Sequence, residues 1–235
     1  MNISLVIPCF NEAKNLPYLY KKLLKLLDNE NIEIVLVDNG SLDETFAILK
    51  SFQVHNDNFK IIKIDKNIGY GNGIIKGLKV ATGDILSWTH ADMQTDPKDI
   101  LNGLKFFENN DKRIFVKGFR KGRPLIDMFF TFFMSIYCSL KLGKLYRDIN
   151  AQPVMFHSDF FKGWVDPPND FSLDLYAYFM AKKFNYTIYK FPVMFRNRLF
   201  GLSSWNVNFS SKLKFINRTI KFTNKLAKKY TKWKL

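Results

Sequence analysis

The chain has 235 residues, of which 47% are hydrophobic and 24% charged. This composition excludes a disordered polypeptide and suits one α/β domain, because single cores usually divide only above roughly 250–300 residues. The 36 Lys+Arg against 21 Asp+Glu give a formal charge of +15, which points to a polyanionic partner such as phosphates, an anionic membrane or nucleic acid.

In the first half, short β-rich runs alternate with amphipathic helical patterns, which predicts a mainly parallel sheet flanked by helices. The predicted strands are Ser4–Pro8, Ile34–Asp38, Lys60–Ile64, Ile85–Thr89 and Ile114–Lys117. Helices are predicted over Leu16–Leu27, Thr45–Phe52, Gly73–Ala81 and Asp99–Glu108. The second half is less regular. It carries an aromatic helical stretch around 125–143, strands at Gln152–His157 and Thr187–Phe195, and a helix at Ser172–Phe184. Cys9 and Cys138 belong to no C-x-x-C spacing and read as packing residues.

Three features bear on membranes. The start of the chain lacks the basic residues and apolar stretch of a signal peptide, so a cytoplasmic location is expected. The most apolar segment, Met128–Leu140, falls short of the ~20 residues a bilayer span needs. From about Lys212 to Trp233, helical spacing puts Lys214, Arg218, Lys221, Lys225, Lys228 and Lys232 on one stripe. Leu213, Phe215, Ile216, Ile220, Phe222, Leu226, Tyr230 and Trp233 fall on the opposite face. This pattern fits a helix lying in an anionic membrane interface, and equally a helix packed on the domain with a solvated lysine face. The 24 Phe residues favour lipid, and the Phe-rich stretch after Arg120-Lys121-Gly122-Arg123 suits partial lipid contact.

The residues with chemical potential sit where predicted strands end, the place where ligands collect in open α/β sheets. Asp38 closes Ile34-Val35-Leu36-Val37, and its carboxylate can accept from a nucleotide base N–H or cap the following helix. His90, Asp92 and Gln94 alternate just beyond the fourth strand. Their carboxylate, amide oxygen and imidazole suit Mg2+ or Mn2+, although such a triplet is also an ordinary surface turn.

Three motifs in order then resemble family-2 glycosyltransferases: Ile7-Pro8-Cys9-Phe10-Asn11-Glu12, Val37-Asp38-Asn39-Gly40-Ser41-Leu42-Asp43-Glu44-Thr45, and Asn67-Ile68-Gly69 followed by Ala81-Thr82-Gly83-Asp84. The likeness covers about the first 120 residues. It implies the α/β GT-A fold, with Pro8, Asn11, Glu12, Asp38, Asn67 and Gly69 around the nucleotide and Asp92 as the principal metal ligand. The family's metal loop usually reads Asp-x-Asp, and Asp-x-Asp-x-Gln among relatives of dolichol-phosphate-mannose synthase, so His90 departs from the pattern. Arg198-Leu199-Phe200-Gly201-Leu202-Ser203 is similar to the R-x-x-G-x-S of polyprenyl-phosphate glycosyltransferases, and Gly118-Phe119-Arg120 with Asp148 fits their G-S-R … D loosely. The resemblance therefore implies phosphate or acceptor binding by Arg120, Arg123, Arg198 and Ser203. Ser204, where Lys is common, and Asn150-Ala151-Gln152-Pro153 depart from that branch.

The expected organisation is a GT-A domain over residues 1–210, with a nucleotide-binding half to about 120 and an acceptor half to about 210, then a basic amphipathic helix over 211–235. The expected reaction is metal-dependent, inverting transfer of a sugar from a nucleotide-sugar donor to a membrane-held acceptor, with the enzyme peripheral on the inner face. Polyprenyl phosphate needs positioning more than a general base. A sugar hydroxyl in a glycan or glycolipid needs a carboxylate, for which Asp170 and then Asp174 are the candidates, though both also suit a helix start. A nucleic-acid binder would explain the charge, but no zinc-finger, RNA-recognition or KH signature is present. A non-catalytic nucleotide-sugar or lipid binder is the remaining alternative, suggested by His90.

Overall fold

The computed structural model describes residues 1–28, 31–109, 111–201 and 209–231. They cluster in two compact units, Met1–Lys121 with Ala151–Phe200, and Gly122–Asn150 with Gly201–Leu235.

The first unit is built on a seven-stranded sheet of β1 (Ile3–Cys9), β2 (Ile32–Asn39), β3 (Phe59–Ile64), β4 (Ile85–Trp88), β5 (Ile114–Lys121), β6 (Val154–His157) and β7 (Thr187–Met194). Its strand order is β3-β2-β1-β4-β6-β5-β7. Strands β1 to β4 pair in parallel, β6 runs antiparallel to both β4 and β5, and β7 is parallel to β5. Helices α1 (Leu16–Leu27), α2 (Thr45–His55), α3 (Tyr70–Val80), α4 (Asp99–Leu104), α6 (Ser158–Lys162) and α7 (Leu173–Lys183) belong to this unit.

Continuous apolar runs make β1 and β2 central strands, buried on both faces. Ile3, Leu5, Ile7 and Cys9 join one core cluster with Leu16, Leu19, Leu23 and Leu26 of α1. Those four leucines recur at helical spacing and are fully buried, each stabilising the fold by about 1.5–3 kcal/mol before entropy. Helix α3 approaches the sheet closely enough that a Cβ on Gly77 would lie 2.3 Å from Val6 Cγ1.

Strand order decides where the site lies. From β1 the chain steps outward to β2 and β3, then returns to place β4 on the other side of β1. The switch point between β1 and β4 opens a crevice at their carboxyl ends, where Cys9-Phe10-Asn11-Glu12 and Thr89–Gln94 emerge.

In the second unit α5 (Leu125–Leu142) packs on α8 (Phe209–Thr231). Tyr137 Oη donates to Asn224 at 2.8 Å, and Cys138 Sγ lies 3.4 Å from Thr223 Oγ1. Gly143 ends α5 in the left-handed conformation, φ 68°. Among the described residues no helix is long and apolar enough to cross a membrane. Lys214, Lys221, Lys225 and Lys228 of α8 are exposed while Thr223 and Leu226 are buried. The expected amphipathic helix is therefore present, with Lys232 and Trp233 outside the described residues.

Candidate functional site

The first two motifs interlock. Asn11, in the left-handed region at φ 55°, donates its N–H to Ser41 Oγ at 3.0 Å, and its side-chain oxygen accepts from Leu42 N at 2.9 Å. Glu12 N donates to buried Thr45 Oγ1 at 2.8 Å, and Ala13 N to Asp43 Oδ2 at 3.2 Å. Parallel pairing of Cys9 with Asp38 brings these loops to one level. Ser41, Asp43 and Thr45 thus hold the site loops together, a role that their place in the second motif signals but that local reading does not assign. Asp38 is buried and accepts from Ser41 N at 3.1 Å, which fixes its carboxylate at the strand end. Burial pushes the Glu12 carboxyl up. The hydrogen bond from Asn15 opposes this, Asp92 adds to it, and Arg198 partly offsets it.

The third motif lines the same crevice. Asn67 Oδ1 accepts from Gly69 N at 2.9 Å, and Asn39 Nδ2 donates to the Gly69 carbonyl at 3.0 Å. Gly69 has φ 134°, and a Cβ there would meet the Asn169 carbonyl oxygen at 2.3 Å. The start of α3 therefore lies directly on the Pro168–Asp170 backbone, to which Asn72 N donates at Asn169 O, 2.9 Å. Pro8 flanks α3 as well, 3.1 Å from where a Gly73 Cβ would stand. Asp170, half-buried, accepts from Ser172 N at 2.8 Å and so shapes the entry to α7.

Beyond β4, the Thr89 and Thr95 hydroxyls meet at 3.2 Å and close the base of a loop. Ala91 and Met93 are buried in the apolar core cluster, Met93 with φ 63°, while the alternating polar residues make the loop's polar contacts. Asp92 Oδ1 accepts from Gln94 N at 3.1 Å, and its Oδ2 takes Arg198 Nη2 at 2.7 Å. Gln94 Nε2 donates to the Arg196 carbonyl at 3.2 Å. His90 lies beside Tyr70, ring centroids 5.5 Å apart. Burial pushes its pKa down, reinforced by Arg198 and Arg120 against the pull of Asp92, so the imidazole is neutral at pH 7.

Behind this loop is a buried polar network that sequence reading did not assemble. Asp174 accepts from Trp88 Nε1 at 3.1 Å, and Gln152 hydrogen-bonds Tyr70 Oη. Lys117 is buried with its ammonium 4.8 Å from the Tyr178 ring centre. Burial raises the Asp174 carboxyl to about 6 against the opposing pull of Lys117, Trp88 and Arg120. The signal available was Lys117 itself, a lysine ending the apolar run Ile114-Phe115-Val116. Arg120 leaves the same strand with its guanidinium 5.4 Å from the Phe195 ring centre.

Arg123 belongs to the second unit, where it is buried against Asp148 at 3.6 Å and donates to Asp127 O at 3.1 Å and Thr131 Oγ1 at 2.7 Å. Ser203 lies outside the described residues.

Comparison with known proteins agrees with this picture. Residues 4–127 match the model of the family described as Glycosyl transferase family 2. An undecaprenyl-phosphate 4-deoxy-4-formamido-L-arabinose transferase of Shewanella sediminis is 33% identical over 103 residues, 43% of this chain and 31% of its own length. A dolichol-phosphate mannosyltransferase of Pyrococcus furiosus is 32% identical over 109 residues, 46% of this chain and 31% of its own. The match therefore spans about a third of either relative. Glucosyl-3-phosphoglycerate synthase from Mycobacterium tuberculosis, solved with Mn2+, UDP-glucose and phosphoglyceric acid, superposes with a TM-score of 0.71 at 15% identity, covering 96% of this chain and 79% of that one. Fold, motifs and the family match together place the chain in glycosyl transferase family 2, on a GT-A fold and related to the polyprenyl-phosphate sugar transferases.

Proposed function

We propose that this chain is a metal-dependent, inverting glycosyltransferase that moves a sugar from a nucleotide-sugar donor to polyprenyl phosphate at a membrane surface. The observation that carries the reading is the meeting of the β1, β2 and β4 ends at the switch point, with Asp92 and Arg198 paired beside them at 2.7 Å. A nucleotide sugar presents a base edge, ribose hydroxyls and a diphosphate, and needs acceptors for the first two and cations for the third. Asp38, Glu12, Asn11, Pro8, Asn67 and Gly69 form the nucleotide side. Arg120 and Arg198 form the phosphate side, where the planar guanidinium suits paired phosphate oxygens.

A divalent cation fits the β4 loop as a guest that arrives with substrate. Among the described residues no three His, Cys, Asp or Glu side chains gather as a metal site. Asp92 and the side-chain oxygen of Gln94 offer hard ligands two residues apart, with neutral His90 adjacent. These residues would hold Mg2+ or Mn2+, both of which accept hard oxygen ligands and need few of them from the protein. When bound, it supplies positive charge to the leaving nucleoside diphosphate. Arg198 and Arg120 add to that stabilisation, and the buried loop holds Asp92 in place before the reaction begins.

The acceptor assignment rests on the two curated relatives, whose names specify undecaprenyl and dolichol phosphates. An acceptor phosphate is already ionised near neutral pH, so the chain's task is to hold its oxygen in line with the anomeric carbon, on the face opposite the leaving group. Ser203 is assigned to that phosphate, and Arg123, paired with Asp148 and bonded to Asp127 O, holds the start of α5. Phe129, Phe132 and Phe133 of α5 are each more than half exposed, and the lysine stripe of α8 is exposed as well. Aromatic side chains with cations on packed helices support a peripheral seat on the anionic, cytoplasmic face of a membrane. No nucleic-acid partner is invoked.

A second reading, transfer to a sugar hydroxyl, is favoured by Asp170, a half-buried residue just before α7 whose backbone lies against Gly69. The test is transfer of radiolabelled sugar from a panel of nucleotide sugars to undecaprenyl phosphate with Mn2+. Label in the lipid phase, lowered about 10²-fold or more in Asp92→Ala, supports polyprenyl phosphate. Nucleoside diphosphate release that depends on Asp92 and Asp170 without lipid label establishes the hydroxyl reading instead.

A further inference from the structure

Arg198 holds Asp92 where the proposed cation would bind. Asp92 is 3% exposed, with one carboxylate oxygen taken by Gln94 N and the other by the guanidinium at 2.7 Å. Arg198 Nε is buried and has no hydrogen-bond partner among the described residues, so the guanidinium is committed to the crevice with donor capacity in reserve. The rest of its segment is tied down alongside it. Arg196 N donates to Gln94 O at 2.8 Å, Gln94 Nε2 returns to Arg196 O at 3.2 Å, and Asn15 Nδ2 reaches Phe200 O at 3.4 Å. The Phe200 ring packs 5.7 Å from Tyr18.

We propose that Arg198 is an internal counter-cation that occupies Asp92 until a nucleoside diphosphate and a divalent cation arrive together, the diphosphate drawing Arg198 off Asp92 as the metal takes its place. The inference rests on the metal-dependent reading above and adds an order to it. A cation entering alone must break an ion pair whose carboxylate is buried and whose Arg198 side chain is 24% exposed, and leave the guanidinium without an anion, which is unfavourable beside a buried carboxylate. A diphosphate removes that penalty by giving Arg198 a multiply charged partner and a use for its idle Nε–H. Metal and diphosphate are then positively coupled beyond their direct ligation, and by linkage the coupling is reciprocal.

The test is Mn2+ binding read from the free-ion EPR signal, with and without UDP or GDP, and needs no turnover. Wild type is expected to bind Mn2+ weakly alone and far more tightly with a diphosphate. Arg198→Gln is expected to bind Mn2+ alone about tenfold more tightly, within the usual range of coupling energies, with a smaller gain from the diphosphate. Arg196→Gln removes a nearby charge whose segment contacts are through its backbone, and is expected to change Mn2+ affinity less than about twofold. Arg198→Lys keeps a cation and guards against a folding defect; its affinity should lie between wild type and Arg198→Gln. The proposal is overturned if Arg198→Gln binds Mn2+ alone no more tightly than Arg196→Gln. If wild type takes up no Mn2+ even with UDP or GDP, the metal-dependent reading falls, and this inference with it.

Discussion

Glu12 and Thr45 belong to different motifs, yet the N–H of one donates to the buried hydroxyl of the other at 2.8 Å. This bond, with those of Asn11 and Ala13, makes the two loops one rigid platform. Thr45→Val keeps the shape and removes the acceptor, leaving the Glu12 N–H unpaired. The expected loss is about 1–3 kcal/mol in urea unfolding, together with weaker binding of nucleotide in a calorimetric titration.

The contact of Gly69 with Asn169 predicts a steep cost for any side chain. Gly69→Ala combines φ 134° with a 2.3 Å approach to a backbone carbonyl, and Gly71→Ala would meet Pro168 O at 2.5 Å. Each is expected to destabilise by more than about 2 kcal/mol and to disturb Asp170. Gly143→Ala is the control: its φ is 68° but nothing lies within 4 Å, so only the left-handed penalty of about 1–2 kcal/mol is expected.

The buried Asp174 predicts a pH dependence. Its folded pKa, raised to about 6 by burial despite Lys117 and Trp88, exceeds the ordinary carboxylate value. Such a group contributes stability that is complete below about pH 4 and is lost as pH climbs through about 6. Unfolding free energy measured from pH 4.5 to 7 should therefore decline more steeply in wild type than in Asp174→Asn. At pH 7 the variant should still be the less stable protein, because Lys117 loses its buried counter-charge.

Glu33 shows the opposite sign. Burial opposes ionisation, but Lys60 at 2.8 Å, the Ser4 hydroxyl and Thr82 N at 2.9 Å outweigh it and hold the carboxyl below its usual range. The stability it contributes is present above the ordinary glutamate pKa, about 4.3, and is lost as pH falls through the lower folded value. Glu33→Gln should unfold at lower urea concentration than wild type at pH 7, and the gap should narrow on acidification.

Exposed aromatics on α5 and lysines on α8 predict binding to anionic vesicles. Replacing Lys221, Lys225 and Lys228 by Gln is expected to weaken flotation with phosphatidylglycerol vesicles by at least about tenfold. Phe129→Ser with Phe132→Ser should reduce binding even to neutral vesicles, since these residues are each 60% exposed and supply apolar area.

Much of this protein is written locally. Leu16, Leu19, Leu23 and Leu26 repeat at helical spacing, and α1 runs over Leu16–Leu27 as the pattern predicts. The runs Ile34–Asp38 and Ile85–Thr89 become strands because consecutive apolar residues need cover on both faces, and their ends moved by only one or two residues, whereas β5 runs on from the predicted end Lys117 to Lys121. Helix α6 escaped notice because its five residues, Ser158–Lys162, are too few to show a period. The three family motifs were legible because each consists of short runs of contiguous residues at element ends.

What contiguity cannot carry is which loop meets which. The return of β4 to the far side of β1, the insertion of antiparallel β6 between β4 and β5, and the packing of α5 on α8 are long-range choices. They decide that Arg198 reaches Asp92, that Thr45 holds Glu12, and that Trp88 and Lys117 surround Asp174. Sequence by itself determined the elements and the chemical types at their ends, since propensity and periodicity act over a few residues. Only the tertiary structure decided the pairings, because a buried charge or N–H selects its partner by proximity in space, after the strands have found their order.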